Sequence, residues 1–339
     1  MVHLAIWLAL GCGPGSLQDV LDRRAQQLGA PGATMAVIVD GRTVFAGSTG
    51  KADLAQDEPM VVDERVRLGS LTKPFTAAVV LQLADEGAWT LDDPIDTWVE
   101  GVPNGGSIAI HHLLSHTSGL ADYADLDRYW AQADQPWTRQ ELLELTYEES
   151  PVSSPGSNWH YSNSGYIVLA LAAEQATGES WEALVTERIV NALGLEHTEV
   201  IPSGNRARGY ATNEETGVFE DQTDHAHSDN SWAAGTLVST APDVALFAHA
   251  LMTGGLVAEE TVVAMSRRVE LPGGEYRYGL GVGIDAYELG WSIGHQGKAV
   301  GYASSWSHRP ELDTTIAVMM NTSDAGARKI EKEAWKFLQ

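Results

Sequence analysis

Residues 68–87 read LGSLTKPFTAAVVLQLADEG, and they decide how the rest of the chain is read. From Ser70 the run is apolar through Phe75, Ala78, Val79 and Leu83 and stops at Gly87, where a helix C-terminal cap is expected. Apolar residues cover most of the circumference, so the predicted helix is buried. Pro74 fits its first turn, where a backbone N–H has no intrahelical use. One of the chain's six lysines, Lys73, stands three residues after Ser70. On a helix that spacing puts both side chains on one face, about 4.5 Å apart along the axis and within hydrogen-bonding reach. A serine nucleophile needs its base at that distance. Lysine, with an ordinary pKa of about 10.4, serves only when burial or a neighbouring cation keeps it partly neutral. The plainer reading makes Ser70 an N-cap and Lys73 a surface residue, and Ser-x-x-Lys alone does not choose between the two.

Upstream, ATMAVIVDGRTVFAGSTG (residues 33–50) gives two β-rich runs around Asp40-Gly41, a hairpin signal. From Trp89 to Asp229 the signals are helical and separated by long loops, as in TRQELLELTYEE, SGYIVLALAAEQATG and SWEALVTERIVNALG. Strand signals return at YGLGVGI, WSIGH, YASSWSHR and TTIAVMMN, before a final helix AGARKIEKEAWKFLQ. Sheet partners separated by a long helical stretch imply an α+β fold. An antiparallel sheet flanked by helices is completed by both ends of the chain, around a largely helical inserted subdomain. The expected division is 18–88 with 230–339 for the sheet part and 89–229 for the insert, with the site in the cleft between them.

With 46 acidic against 21 basic side chains, the formal charge of −25 argues against nucleic acid and anionic membrane surfaces as partners. The single cysteine, Cys12, excludes an internal disulfide framework and any multi-cysteine metal site. The opening MVHLAIWLALGCGPGS resembles a secretory signal with a lipoprotein-type cleavage site before Cys12. Residues 1–17 are therefore expected to direct export, to a periplasmic or membrane-anchored state, with membrane attachment through a lipid on Cys12.

Two further stretches bear chemistry. In PGSNWHYSNSGYIVLAL, Tyr161 and Asn163 stand directly before an apolar helix. A phenol beside a lysine can shuttle protons to a leaving group, and a carboxamide can bond both the lysine and a substrate's acyl chain. In WSIGHQGKAVGYASSW, His295 is expected to donate a hydrogen bond towards Tyr161 or the substrate. Gly297 lets a substrate approach the strand, and the N–H of Lys298 can supply an oxyanion donor. Alone, each has a plainer reading: Tyr161 as a packing tyrosine, Asn163 as a cap, His295 as a satisfied core histidine.

Together and in this order, the three stretches resemble the serine hydrolases grouped with class C β-lactamases, D-alanyl-D-alanine carboxypeptidases, D-aminopeptidases and related esterases. Their motifs, Ser-x-x-Lys, Tyr-x-Asn and Lys or His followed by x-Gly, are matched by Ser70/Lys73, Tyr161/Asn163 and His295/Gly297. HHLLSHTSGL (111–120), AAGTLVSTAPDVALF (233–247) and GHQGKAVGY (294–302) add to the resemblance, which covers residues 18–339.

The resemblance implies a β-lactamase/transpeptidase-like fold with Ser70 as the acylated nucleophile, Lys73 as its activator and Tyr161 as acid/base partner. It implies that Asn163 orients the acyl group and that the N–H groups of Ser70 and Lys298 form the oxyanion hole, while His116 is structural. Gly297 and Lys298 are the expected substrate-binding positions. No metal or other cofactor is expected. The expected substrate is a small molecule or peptide: a D-alanyl peptide, or a small ester or amide. Two alternatives stand beside this reading, a β-lactamase and a non-enzymatic, penicillin-binding-like recognition protein. His295 stands where β-lactamases of this type usually carry Lys, which weighs against the first. The intact motifs weigh against the second.

Overall fold

The computed structural model describes residues 15–202, 206–224, 228–272, 274–287 and 290–338, so the segment with Cys12 lies outside the described residues. Asp40-Gly41 does close a hairpin: β1 (Gly32–Val39) and β2 (Arg42–Asp53) pair antiparallel, and the two turn residues have φ of 49° and 71°. Positive φ at both positions gives the turn whose twist matches its strands. With β3 (Glu58–Pro59), β4 (Gly283–Tyr287), β5 (Gly290–Ala299), β6 (Tyr302–Arg309) and β7 (Thr314–Met320) they form a seven-stranded sheet. Its order is β4-β5-β6-β7-β1-β2-β3. The two ends of the chain meet where β1 pairs β7, from Ala33 opposite Met320 to Val39 opposite Thr314. β1, β6 and β7 are buried along their whole length, which their near-continuous runs of apolar and small residues permit.

Helices α1 (Leu17–Gln27) and α5 (Arg328–Phe337) cover one face, where Leu17, Leu21, Ile330 and Trp335 pack with Met35, Val37 and Val318. The other face meets α4 (Ala241–Met252), and beyond it lie α2 (Thr72–Asp85) and α3 (Asn163–Thr177). Phe75 of α2 stacks on Phe247 of α4 with ring centroids 3.6 Å apart. From Thr72 to Leu83, every residue of α2 except Gln82 is buried. The helix begins two residues later than its apolar run: Gly69–Leu71 form a 3₁₀ turn, entered through Gly69 at φ 55°. Ser70 therefore sits at the bend ahead of α2 and is not its N-cap.

Candidate active site

The bend carrying Ser70 is set against β5. A Cβ at Gly297 would fall 1.9 Å from the Leu68 carbonyl oxygen and 2.4 Å from Ser304 Oγ, so only glycine lets the strand approach this turn. The space that Gly297 leaves is filled by the chain's own backbone, and not by the approach of substrate expected there. A Cβ at Gly69 would likewise lie 2.9 Å from the Lys298 nitrogen, so the peptides of Ser70 and Lys298 are near neighbours. The pairing of β4 with β5 ends at Gly294, which leaves residues 295–299 of β5 beyond the reach of that ladder.

Lys73 is fully buried, against the surface reading. Its Nζ lies 3.2 Å from Ser70 Oγ and donates to Asn163 Oδ1 at 2.6 Å and to the Ala234 carbonyl at 2.9 Å. Burial pushes its pKa down to about 7, with the Asp122 carboxylate opposing. Near neutral pH a large fraction is therefore free amine, able to take the Ser70 proton. The Tyr161 hydroxyl is also hydrogen-bonded with Ser70, and burial pushes that phenol well above its ordinary range. Tyr161 therefore stands protonated beside Ser70.

The segment bearing Tyr161 is pinned by His116, a buried non-glycine residue at φ 61°. The His116 carbonyl accepts the His160 N–H at 2.9 Å, and its Nδ1 accepts the Ser162 N–H at 3.1 Å. Its ring packs on Tyr161 with centroids 4.2 Å apart. Ser162 caps α3 by accepting the Gly165 N–H at 3.2 Å, which aims Asn163, the first helical residue, at Lys73.

His295 departs from expectation. Its Nδ1 donates to the Gln296 carbonyl at 2.7 Å and its Nε2 meets the Tyr278 hydroxyl at 2.8 Å, so the ring is engaged with Tyr278 instead of Tyr161. Burial holds its pKa down at about 3, leaving it neutral. The reason is placement: the Tyr278 hydroxyl, from the turn before β4, reaches Nε2 first. Sequence reasoning passes over Tyr278 and also Asp122, a buried carboxylate that accepts the Asn163 Nδ2–H at 2.7 Å. The available signal for Asp122 was an acidic residue among Leu120, Ala121 and Tyr123, directly after the His111–Leu120 stretch.

A cavity of about 640 Å³ opens from Ser70 and Tyr161 along β5. Trp159 and Tyr276 stack at its wall with centroids 6.0 Å apart, and the exposed cations Arg277 and Lys298 also line it.

A family model described as Beta-lactamase matches residues 17–338. Penicillin-binding protein 4* of Bacillus subtilis (strain 168) is 29% identical over 303 residues, 84% of this chain and 66% of that protein. The D-alanyl-D-alanine-carboxypeptidase/endopeptidase AmpH of Escherichia coli (strain K12) is 30% identical over 208 residues, 58% of this chain and 53% of that protein. The chain thus spans about half to two thirds of the length of these curated relatives. Among solved structures, a D-stereospecific amidohydrolase from Streptomyces sp. matches with a TM-score of 0.81 at 28% identity, covering 94% of this chain and 97% of that one.

Proposed function

The chain belongs to the beta-lactamase family, and on that premise we propose that it is a serine hydrolase that turns over its substrate through an acyl-enzyme on Ser70. One observation carries the reading: a fully buried lysine, held near pKa 7, lies within hydrogen-bond distance of a serine Oγ. Ser70 Oγ attacks the substrate carbonyl while Lys73 takes its proton. The N–H groups of Ser70 and Lys298 stabilise the oxyanion. Tyr161, protonated in the resting site, passes a proton to the leaving group, and Lys73 replenishes it. Water then attacks the ester on Ser70 and restores the serine.

The substrate we assign is a D-alanyl peptide, with small esters and amides turned over by the same site. Trp159 and Tyr276 offer an apolar wall to the body of such a substrate, while Arg277 and Lys298 attract a carboxylate on its leaving group. Similarity to a D-alanyl-D-alanine-carboxypeptidase/endopeptidase and to a D-stereospecific amidohydrolase supports this class. Export and lipid attachment at Cys12 belong to the same proposal. Intact mass of the N-terminal peptide from membranes of an exporting host tests that part.

The catalytic part is tested by kcat/KM on an acylated D-alanyl-D-alanine peptide, its L,L isomer and a p-nitrophenyl ester, for wild type and Ser70→Ala. Preference for the D,D isomer with loss of all turnover in Ser70→Ala is expected. Turnover that survives Ser70→Ala rules the reading out.

A further inference from the structure

Asp122 is a buried carboxylate to which the mechanism above gives no task. Its Oδ2 accepts the Asn163 Nδ2–H at 2.7 Å, and its Oδ1 accepts the Ala124 N–H at 3.3 Å and the Ser164 hydroxyl at 3.5 Å. Three donors converge on two oxygens, which suits a group that only accepts. On the other side of the same amide, Asn163 Oδ1 lies 2.6 Å from Lys73 Nζ. The geometry points to Asp122 as the positioning residue that fixes the amide of Asn163, and through it the direction of the Lys73 lone pair. The inference rests on the reading of Lys73 as the base for Ser70.

A carboxamide can turn over end for end unless its neighbours tell nitrogen from oxygen. A protonated lysine does so, because it only donates; a neutral amine does not, because it also accepts. Acylation needs the neutral amine. In that state a turned Asn163 would give an N–H to the Lys73 lone pair and occupy the position meant for the Ser70 proton. Asp122 forbids the turn, since it would set an amide oxygen against a buried carboxylate and strip that carboxylate of its donor. With the amide fixed, the two N–H bonds of neutral Lys73 go to Asn163 Oδ1 and to the Ala234 carbonyl, 2.9 Å away. The remaining tetrahedral position of Nζ, the lone pair, faces Ser70 Oγ at 3.2 Å.

Among the described residues, Asp122, Tyr161, Tyr166, His116 and His295 are the titratable groups around Lys73. His116 and His295 are held neutral and the phenols protonated. Burial raises the Asp122 carboxyl above its usual range, opposed by the hydrogen bonds from Asn163 and Ala124 and by the Lys73 charge, so among the described residues its carboxylate is the charge that acts on the lysine.

Six lysines make a ¹³C-lysine NMR titration tractable, and it needs no turnover. In wild type the Lys73 signal is expected to titrate at about 7. Asp122→Asn keeps the shape but removes the charge, so the midpoint falls and the acid limb of fluorophosphonate labelling at Ser70 moves to lower pH with it. Asp122→Ala frees the amide, and labelling slows roughly 10²-fold even at a pH where Lys73 is neutral in both proteins. An unmoved Lys73 midpoint in Asp122→Asn, or an undiminished labelling rate in folded Asp122→Ala, overturns the inference. If Asp122→Ala does not fold, Asp122→Asn decides through its labelling rate at a pH where Lys73 is neutral: an amide at 122 both donates and accepts and no longer tells nitrogen from oxygen, so an undiminished rate there overturns the inference. If wild type takes no label, the hydrolase reading fails while the titration still judges Asp122.

Discussion

The Cβ that Gly297 lacks would lie 1.9 Å from the carbonyl oxygen of Leu68, so β5 rests directly on the backbone that presents Ser70. The contact is backbone against backbone and cannot be relieved by turning a side chain. Gly297→Ala should therefore push the strand and the Ser70 turn apart. We expect a stability loss of about 1–3 kcal/mol and a fall in kcat of roughly 10²-fold, read by chemical denaturation and by ester turnover. Wild-type kcat in this variant would show that the turn and the strand are not coupled.

Lys73 cannot be replaced by a larger cation. Arginine keeps the charge but does not lose its proton in proteins, so Lys73→Arg removes the proposed base and must also fit a guanidinium into a fully buried space. Acylation should fall by about 10²–10⁴-fold. Labelling of Ser70 by a fluorophosphonate, followed by intact mass against time, measures it.

The pH dependence has a definite sign. The proposed mechanism needs Lys73 neutral, and burial holds it at about 7, so acylation should rise with pH through that value and level off above it. Tyr161 stays protonated past the ordinary phenol range and adds no limb near neutrality. His295 is neutral above about 3, so His295→Gln should leave the acid limb in place while lowering its plateau. Single-turnover acylation between pH 5 and 9 checks both statements.

His116 holds the segment of Tyr161 from a backbone conformation that suits few residues. Asparagine tolerates positive φ and carries an acceptor, so His116→Asn should retain more activity than His116→Ala. The alanine variant orphans the buried Ser162 N–H, at a cost of about 1–3 kcal/mol. Thermal melting and kcat of the two variants side by side test this order.

What could be read from the sequence is what depends on local spacing. Ser70 and Lys73, Tyr161 and Asn163, the Asp40-Gly41 hairpin and the late strands are all set by neighbours a few residues away. The sheet closed by both ends of the chain followed from the order of strand and helix signals. Asp122 could not be found that way, because its partner Asn163 is 41 residues distant and the two meet only where the loop after the His111–Leu120 stretch packs on the start of α3. Tyr278 and His295 are joined for a similar reason, across the turn before β4. The task of Gly297 was misread since a missing side chain does not say what fills its space.

The central claim is that Ser70 is the acylated nucleophile, and one measurement addresses it directly. Wild type and Ser70→Ala are mixed briefly with a penicillin or a fluorophosphonate, quenched in acid, and their intact masses compared. The account predicts a single covalent adduct on wild type, located at Ser70 by peptide mapping, and none on Ser70→Ala. Equal labelling of Ser70→Ala, or a wild type that takes neither reagent and hydrolyses neither penicillin nor simple esters, would contradict it.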